Sequence, residues 1–383
     1  MRVASPVMAM PAILSVGAIG GELGRSHNRA VFVTGQRCPA VSFTSQGALM
    51  SRFDVYAIGN ALVDTEYRVT DEFLARRGIA KGQMTLVEED HQQDLITALD
   101  SEFGMEKRAS GGSAANTILA VAAFGGRSFY SCKVASDGTG DFYVHDLHAA
   151  GVSSNLKPER DAGTTGTCVV MVTPDAERTM HTFLGITADV SVAELVPDAL
   201  ASSGWLYIEG YLVSSDSARA AVKEARRQAR AAGVQIAMTF SDPAMVRFFK
   251  PGLAEMLDDG VDLLFCNEEE ACLWSGALSA EAALTSLRAI ATQIVITRGK
   301  EGALIWDGRQ AISVPASPAT PVDSNGAGDM FAGAYLFGLS RDWSAERAGV
   351  FASRAAAAVV GQFGPRLSLD AHSALLRDFN SHG

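Results

Sequence analysis

The amino-acid sequence predicts an α/β protein with three layers, in which helices cover both faces of a mostly parallel β-sheet. Its strand-like segments are continuous runs of apolar or β-branched residues rather than alternating ones, which is typical of strands buried on both faces. Helical segments lie between several of these strands along most of the chain, as in sheets built from crossover connections. Right-handed crossovers would then place the ligand-binding loops at the carboxyl edge of the sheet.

The predicted elements follow one another in a regular order from residue 54 onward. Strands are predicted at residues 54–59, 129–135, 205–211, 235–240, 261–266, 294–297 and 303–306. Helices are predicted at residues 114–124, 141–150, 217–232, 244–257 and 281–291. This alternation favours one large domain over a string of small ones.

Two segments, residues 65–87 and 165–183, interrupt the alternation of strand and helix. Short β-like pieces, such as residues 168–172 and 179–183, are joined there by turn residues. Short strands without helices between them predict a small separate sheet, which in an enzyme can close over the site as a lid. An edge hairpin of the main sheet is the alternative.

Composition limits the classes of function that the chain can serve. Its 383 residues are 48% hydrophobic, which is enough apolar material for one large domain with a small accessory element. The net charge of −11 and the lack of a basic cluster argue against nucleic acid and acidic membrane surfaces as partners. The cysteines are scattered without a C-x-x-C pair, which favours buried thiols in a reducing cytoplasm. No apolar run reaches the ~18 residues that a transmembrane helix requires.

The first 49 residues differ from the rest of the chain. An apolar stretch at residues 7–19 follows a single basic residue, Arg2, but no convincing cleavage site of a signal peptide comes after it. Met50 stands directly before the first predicted strand. Our interpretation is that Met50 is the natural start and that residues 1–49 are disordered or arise from an over-extended reading frame. Residues 50–383 would then form the domain with its lid.

The segment Asp323-Ser-Asn-Gly-Ala-Gly-Asp329 carries the clearest chemical signal. It leads into an apolar helical pattern, and its polar side chains suit a helix N-terminus. Gly326, Ala327 and Gly328 let the backbone approach a ligand, so the free N–H groups of the first turn can form an anion hole for a phosphoryl group. Asp329 can act there as general base toward an attacking hydroxyl, or it can merely balance the helix dipole.

Two other segments follow predicted strands at the same edge of the sheet. Asn267 and Glu270 share one helical face, so their oxygens could hold Mg²⁺ through water; capping of the helix is the alternative. Thr297 and Gly299 lie in a loop that could face phosphates, although an ordinary turn fits almost as well. Arg298 is the nearest plausible cation for a phosphate, and a solvated surface position is equally compatible with it.

Upstream, two segments could bind an acceptor molecule. Gly111 and Gly112 permit close approach of a substrate, and Asn116 at the start of the next helix can bind hydroxyl groups. Asn60 and Asp64 follow the first strand, where a carboxylate could chelate a vicinal diol. Each segment taken alone is more often a turn with a helix cap.

Together these motifs resemble the ribokinase-like, or PfkB-type, kinase family. The resemblance covers essentially everything after the N-terminal extension, and the most specific motif is Asp323-Ser-Asn-Gly-Ala-Gly-Asp329. Within the family, the chain is similar to the adenosine kinase branch. That similarity rests on Ala57-Ile-Gly-Asn-Ala-Leu-Val-Asp64, on Gly111-Gly-Ser-Ala-Ala-Asn-Thr117 and on Asn325, where many sugar kinases have threonine.

The resemblance implies a Rossmann-like domain with a small β-sheet lid, ATP and Mg²⁺ as cofactors, and an activating monovalent cation such as K⁺ near Asp323. It implies that Asn60 and Asp64 hold ribose hydroxyls. The residues that it places beside them are Gly112, Ser113 and Asn116. The residues that it places at the nucleotide are Asn267, Thr297, Gly299, Asn325 and Gly328, with Mg²⁺ held through water at Glu270.

The implied reaction is transfer of the γ-phosphoryl group of ATP to the 5′-hydroxyl of adenosine, giving AMP and ADP. The sequence leaves open an inosine or guanosine kinase, a sugar kinase acting on ribose or fructose, and a nucleotide-binding protein without catalysis. The expected partners are therefore small molecules. The expected assembly is a monomer or a weak dimer.

Overall fold

The structure, a computed structural model, describes residues 53–382, and the structural statements below concern those residues. Residues Met50–Gly383 belong to one compact unit. The prediction for residues 1–49 lies outside the described residues. No helix of the described part is long and apolar enough to cross a membrane.

The main sheet has nine strands in the order β14-β13-β12-β11-β10-β9-β1-β5-β6. Their bounds are β1 Phe53–Ile58, β5 Ser128–Ser131, β6 Ser153–Ser154, β9 Ser203–Ile208, β10 Gln235–Thr239, β11 Val261–Asn267, β12 Ala291–Thr297, β13 Ala303–Trp306 and β14 Ala311–Val314. Neighbouring strands from β6 to β12 pair in parallel, and β13 and β14 complete one edge in antiparallel fashion. The predicted mostly parallel sheet is therefore confirmed.

Helices cover the two faces of this sheet with separate apolar cores, which gives the three predicted layers. One core includes side chains of α3 Ser113–Ala123, α4 Gly138–Ala149, α10 Ala327–Leu339, α11 Ala345–Val360 and α12 Leu369–His382. The other includes α5 Pro197–Ala201, α6 Asp216–Ala232, α7 Pro243–Leu257, α8 Glu268–Ser275 and α9 Ala280–Leu287. The strands contribute buried residues to both cores, as the unbroken apolar runs predicted.

A second sheet contains both segments that interrupt the alternation. Its five strands have the order β3-β8-β7-β2-β4, with bounds β2 Leu62–Arg68, β3 Met84–Leu86, β4 Lys107–Gly111, β7 Thr165–Val172 and β8 Arg178–Gly185. The first segment also holds a helix, α1 Asp71–Arg77, which the sequence analysis missed. This helix is short, but Thr70 caps its start and Gly78 ends it in the left-handed region. The action of this sheet as a lid stays a prediction.

Two further differences from the predicted elements have local causes. Strand β5 ends at Ser131 rather than at residue 135, because the backbone N–H and C=O of Cys132 bond to the side chain of Asn155. Helix α2 Glu89–Glu102 was not predicted. It is strongly polar, and only a narrow stripe that includes Leu95 and Leu99 is buried against the second sheet.

Candidate active site

The site lies in a cavity of about 390 Å³ that is lined by residues of both sheets and of the loops between them. The structure brings most of the predicted site residues into this cavity. Those that line it are Asn60, Asp64, Gly112, Ser113, Asn116, Asn267, Glu270, Thr297, Asn325, Gly326, Gly328 and Asp329. Those that do not line it are Gly299, Asp323 and Ala327.

The N-terminus of α10 faces the cavity. Gly326 caps this helix with φ of 73°, and a Cβ at this position would meet Pro365 at 2.6 Å, so the turn requires glycine. The N–H of Ala327 makes a long turn bond to the carbonyl of Ser324. Within the described residues, the N–H groups of Gly328 and Asp329 have no hydrogen-bond acceptor. Two free donors at a helix N-terminus are suited to bind an anion, and this candidate position is called the anion site below.

Asp329 is held by two donors from α3. Its Oδ1 accepts a hydrogen bond from Ser113 Oγ at 2.6 Å, and its Oδ2 accepts one from Asn116 Nδ2 at 3.3 Å. Burial raises the pKa of Asp329 above its ordinary value, while the Ser113 bond and the charge of Arg178 counteract that shift. A carboxylate of raised pKa, fixed beside free N–H donors, is suited to accept a proton at neutral pH.

Asn60 and Gly112 lie where the chain passes from the main sheet to the second sheet and back. These two crossings are in close contact, because a Cβ on Gly112 would meet the Asn60 carbonyl oxygen at 2.1 Å, and Gly112 has φ of 97°. Glu209, after β9, joins the crossings: its carboxylate accepts from the N–H of Asn60 at 3.2 Å and from the N–H of Ala114 at 2.8 Å. The glycine pair thus serves chain packing as well as access to the cavity.

Asp64 is a buried carboxyl group without a partner in the described chain. It lies on β2 with 6% of its surface exposed, and no described residue donates a hydrogen bond to it. Burial, and next the charge of Glu66, raise its pKa to about 8. A carboxyl that lines a cavity without a bond inside the protein is available to the hydroxyl groups of a ligand.

Asn267 and Glu270 form a capping box at the start of α8. Both carboxylate oxygens of Glu270 accept from Asn267, through its backbone N–H at 3.0 Å and its side-chain Nδ2 at 2.8 Å. Burial raises the pKa of Glu270 to about 8. The capping alternative is therefore confirmed, and both residues also line the cavity. Each carboxylate oxygen of Glu270 keeps a further lone pair, and such oxygens suit a metal held through water rather than directly.

The segment after β12 contributes less than the sequence suggested. Thr297 pairs with Asn267 across β11 and β12 and lines the cavity, whereas Gly299 begins a short 3₁₀ turn outside it. Arg298 is ion-paired with Glu281 at 3.0 Å and does not reach the cavity. The position of Arg298 therefore does not support its prediction as the cation for a phosphate.

Asp323 lies beneath the anion site and is completely buried. It accepts from the N–H of Asn325 and from the N–H of Gly364, each at 2.8 Å, and so fixes the loop that precedes α10. The Asn325 side chain donates to Glu66 Oε1 at 3.1 Å. Glu66 Oε2 has no partner among the described residues, and burial together with the charge of Asp323 raises the pKa of Glu66 to about 7.

Four charged residues of the cavity were not predicted from the sequence, namely Glu177, Arg178, Glu209 and Asp242, and two of these bond to loops of the site. Arg178 at the start of β8 donates to the carbonyl of Ser324 at 3.2 Å and lines the cavity. Its charge lowers the pKa values of Asp329 and Asp64. Glu209 is the other. The only sequence signal for Glu209 is its position directly after a predicted strand. No local pattern identifies Arg178, because it reaches the site only through the packing of the second sheet.

Comparison with known proteins identifies the family of the chain. The chain matches the pfkB family of carbohydrate kinases over residues 83–372. It is 37% identical to an adenosine kinase of Sinorhizobium meliloti of known structure, with a TM-score of 0.79 over 85% of this chain and 99% of that one.

Two other proteins show the range of relatives. A probable sugar kinase of Rhizobium etli is 34% identical, with a TM-score of 0.81 over 86% of this chain and 99% of that one. An adenosine kinase of Saccharomyces cerevisiae is 28% identical over 74% of this chain and 88% of its own length. The chain therefore belongs to the pfkB family of carbohydrate kinases, and it is a phosphotransferase that uses an alcohol group as acceptor.

Proposed function

We propose that the protein transfers the γ-phosphoryl group of ATP to the 5′-hydroxyl of adenosine, giving AMP and ADP. The observation that carries the proposal is the Asp329 carboxylate beside two unbonded N–H groups, in one cavity with the unpartnered Asp64. A general base, an anion site and an anchor for hydroxyl groups are what phosphoryl transfer to an alcohol requires. The similarity to adenosine kinases supports the nucleoside as acceptor.

In this mechanism, Asp329 accepts the proton of the attacking hydroxyl. Ser113 and Asn116 fix its two oxygens, so the carboxylate is oriented before the acceptor arrives. The N–H groups of Gly328 and Asp329 stabilise the negative charge that develops on the transferred group. Arg178 supplies a positive charge from the second sheet. Closure of that sheet as a lid would exclude water from the cavity.

The residues present fit the expected ions. Mg²⁺ on the nucleotide phosphates would be held through water at Glu270 and Asn267, where it would neutralise phosphate charge. A monovalent cation such as K⁺ fits near Asp323, because Glu66 Oε2 has no hydrogen-bond partner among the described residues and lies close to this second buried carboxylate. Omission of K⁺ from the assay tests the second assignment.

The apolar part of the cavity favours a nucleoside over a free sugar. The second sheet contributes Leu62, Met84, Leu86, Met180 and Leu184 to it. Leu86 is 43% exposed and adjoins the other apolar residues of this lining. A flat purine base would cover this surface, whereas ribose or fructose would leave it in contact with water.

A phosphorylation panel tests the proposal. Purified protein with MgATP and K⁺ is offered adenosine, inosine, guanosine, ribose and fructose, and products are separated by chromatography. We expect adenosine to give the highest kcat/KM, and 5′-deoxyadenosine to inhibit without forming product. Turnover of sugars but not of nucleosides would establish the sugar kinase instead. ATP binding without turnover of any acceptor would favour the non-catalytic alternative.

A further inference from the structure

Arg366 makes three hydrogen bonds just outside the cavity. Its Nε donates to Asn116 Oδ1 at 3.1 Å, its Nη1 to Asp146 Oδ2 at 3.0 Å and its Nη2 to Ser110 Oγ at 3.0 Å. Its side chain is 17% exposed, and it is not among the residues that line the cavity. The guanidinium group therefore contacts a residue of the site without reaching the ligand space.

Asp146 of α4 holds this arginine in place. The same Oδ2 atom also accepts from the N–H of Ser110 at 3.0 Å and from Ser110 Oγ at 2.5 Å. Ser110 lies on β4, directly before the glycine pair that leads into α3. The carboxylate thus connects α4, the last strand of the second sheet and the loop of Arg366.

The contact with Arg366 decides which way the amide of Asn116 points. A guanidinium group has only donors, so it must face the amide oxygen, and the amide NH₂ must then face Asp329. If the amide turned over, its oxygen would face the Asp329 carboxylate and repel it. The orientation that supports Asp329 is therefore set from outside the cavity.

We propose that Arg366 and Asp146 are positioning residues that fix the Asn116 amide and, through it, the general base Asp329. This inference rests on the proposed function, because it requires Asp329 to act as base. Neither residue lines the cavity. Their effect reaches the reaction only through the chain of contacts from Asp146 to Arg366, Asn116 and Asp329.

The charges around Asp329 define what a pH profile would report. Burial raises its pKa, and the Ser113 bond, the charge of Arg178, the Asn116 bond and the charge of Arg366 lower it. The other ionisable groups coupled to it are Asp64, Tyr207, Glu209 and Tyr211. Loss of Arg366 removes one cation and frees the Asn116 amide. Both changes raise the pKa of Asp329.

The test compares Arg366→Met, Arg366→Lys and Asp146→Asn with a matched control, Arg226→Met. Arg226 is also a buried arginine with a carboxylate partner, Asp259 at 2.8 Å, but it lies on α6 away from the cavity. For Arg366→Met we expect kcat to fall about ten- to a hundredfold and the acid limb of kcat/KM to move up by about one pH unit, with MgATP affinity unchanged. Arg366→Lys retains the positive charge but lacks the planar guanidinium group that bonds to three partners. Its kcat should therefore stay low, while its acid limb should move less than that of Arg366→Met.

The inference is overturned if Arg366→Met leaves the acid limb of kcat/KM unchanged and loses no more kcat than the Arg226→Met control. Arg366→Lys and Asp146→Asn decide the question if Arg366→Met does not fold, since both preserve most of the packing. An Asp329→Asn variant is measured alongside. Turnover in that variant refutes the proposed function itself, and with it this inference. If Asp329→Asn has no turnover but the Arg366 variants keep the acid limb of the wild type, only the positioning role is refuted.

Discussion

Replacement of Ser113 by alanine isolates one hydrogen bond to the proposed base. The bond from Ser113 Oγ to Asp329 Oδ1 is 2.6 Å long, the length of a hydrogen bond from a hydroxyl to an ionised carboxylate. Such a bond contributes about 1.5–3 kcal/mol, and one pKa unit corresponds to about 1.4 kcal/mol, so its loss should raise the pKa of Asp329 by about 1–2 units. Ser113 is partly exposed, so water can replace part of the bond, and the lower end of this range is expected.

The assay is the pH dependence of kcat/KM, which reports groups of the free enzyme and therefore the unliganded site described here. Because Asp329 must be ionised to accept a proton, activity falls as the pH drops through its pKa. In Ser113→Ala this acid limb should move to higher pH. Ser275→Ala is the control, since Ser275 Oγ bonds only to the backbone at the end of α8, outside the cavity: it donates to the carbonyl oxygens of Ala271 and Cys272 and accepts from the N–H of Ala277. An acid limb that stays in place in Ser113→Ala would contradict the assignment of Asp329 as base.

Three other changes test separate parts of the site. Arg178→Lys loses the planar fork at the cavity, so kcat measured at saturating substrates should fall about tenfold or more, whereas Arg298→Lys should leave it unchanged. Gly326→Ala forces a Cβ against the neighbouring loop at a positive φ, so it should lower the free energy of unfolding, measured in urea, by about 1–3 kcal/mol. The loss should be smaller in the control Gly78→Ala, because no atom lies within contact distance of a Cβ there. Asp64→Asn removes a buried carboxyl whose pKa is raised to about 8. The folded wild type holds that proton more tightly than the unfolded chain, so its stability falls as the pH rises from about 4 to 8, and calorimetry should show a weaker dependence in the variant.

The parts of the site that depend on local chain signals could be predicted from the sequence. Gly326 and Asp329 stand at the start of an apolar helix, and the capping box of Asn267 and Glu270 follows a buried strand. Each motif can therefore be recognised within about ten residues of sequence. The parallel sheet followed from the apolar strands. Residues of both motifs line the same cavity in the structure.

The residues that sequence analysis missed depend on tertiary contacts. Arg178 reaches the cavity only because the second sheet packs over it, and Arg366 reaches Asn116 across a separation of 250 residues. Glu209 accepts hydrogen bonds from the two chain crossings, and no local sequence pattern predicts that these crossings lie together. Arg298 was a plausible phosphate cation because of its position after a strand. Its side chain instead forms an ion pair with Glu281, which the strand pattern does not predict.

The central claim is that Asp329 removes the proton from an alcohol acceptor in an ATP-dependent transfer. Its most direct test is single-turnover phosphorylation of adenosine by wild type and by Asp329→Asn, with MgATP affinity measured in parallel by calorimetry. Asparagine has nearly the same shape but cannot accept the proton, so the rate should fall by about 10²–10⁴-fold while MgATP affinity stays within a few-fold. A rate within a few-fold of wild type, at unchanged affinity, would contradict the claim.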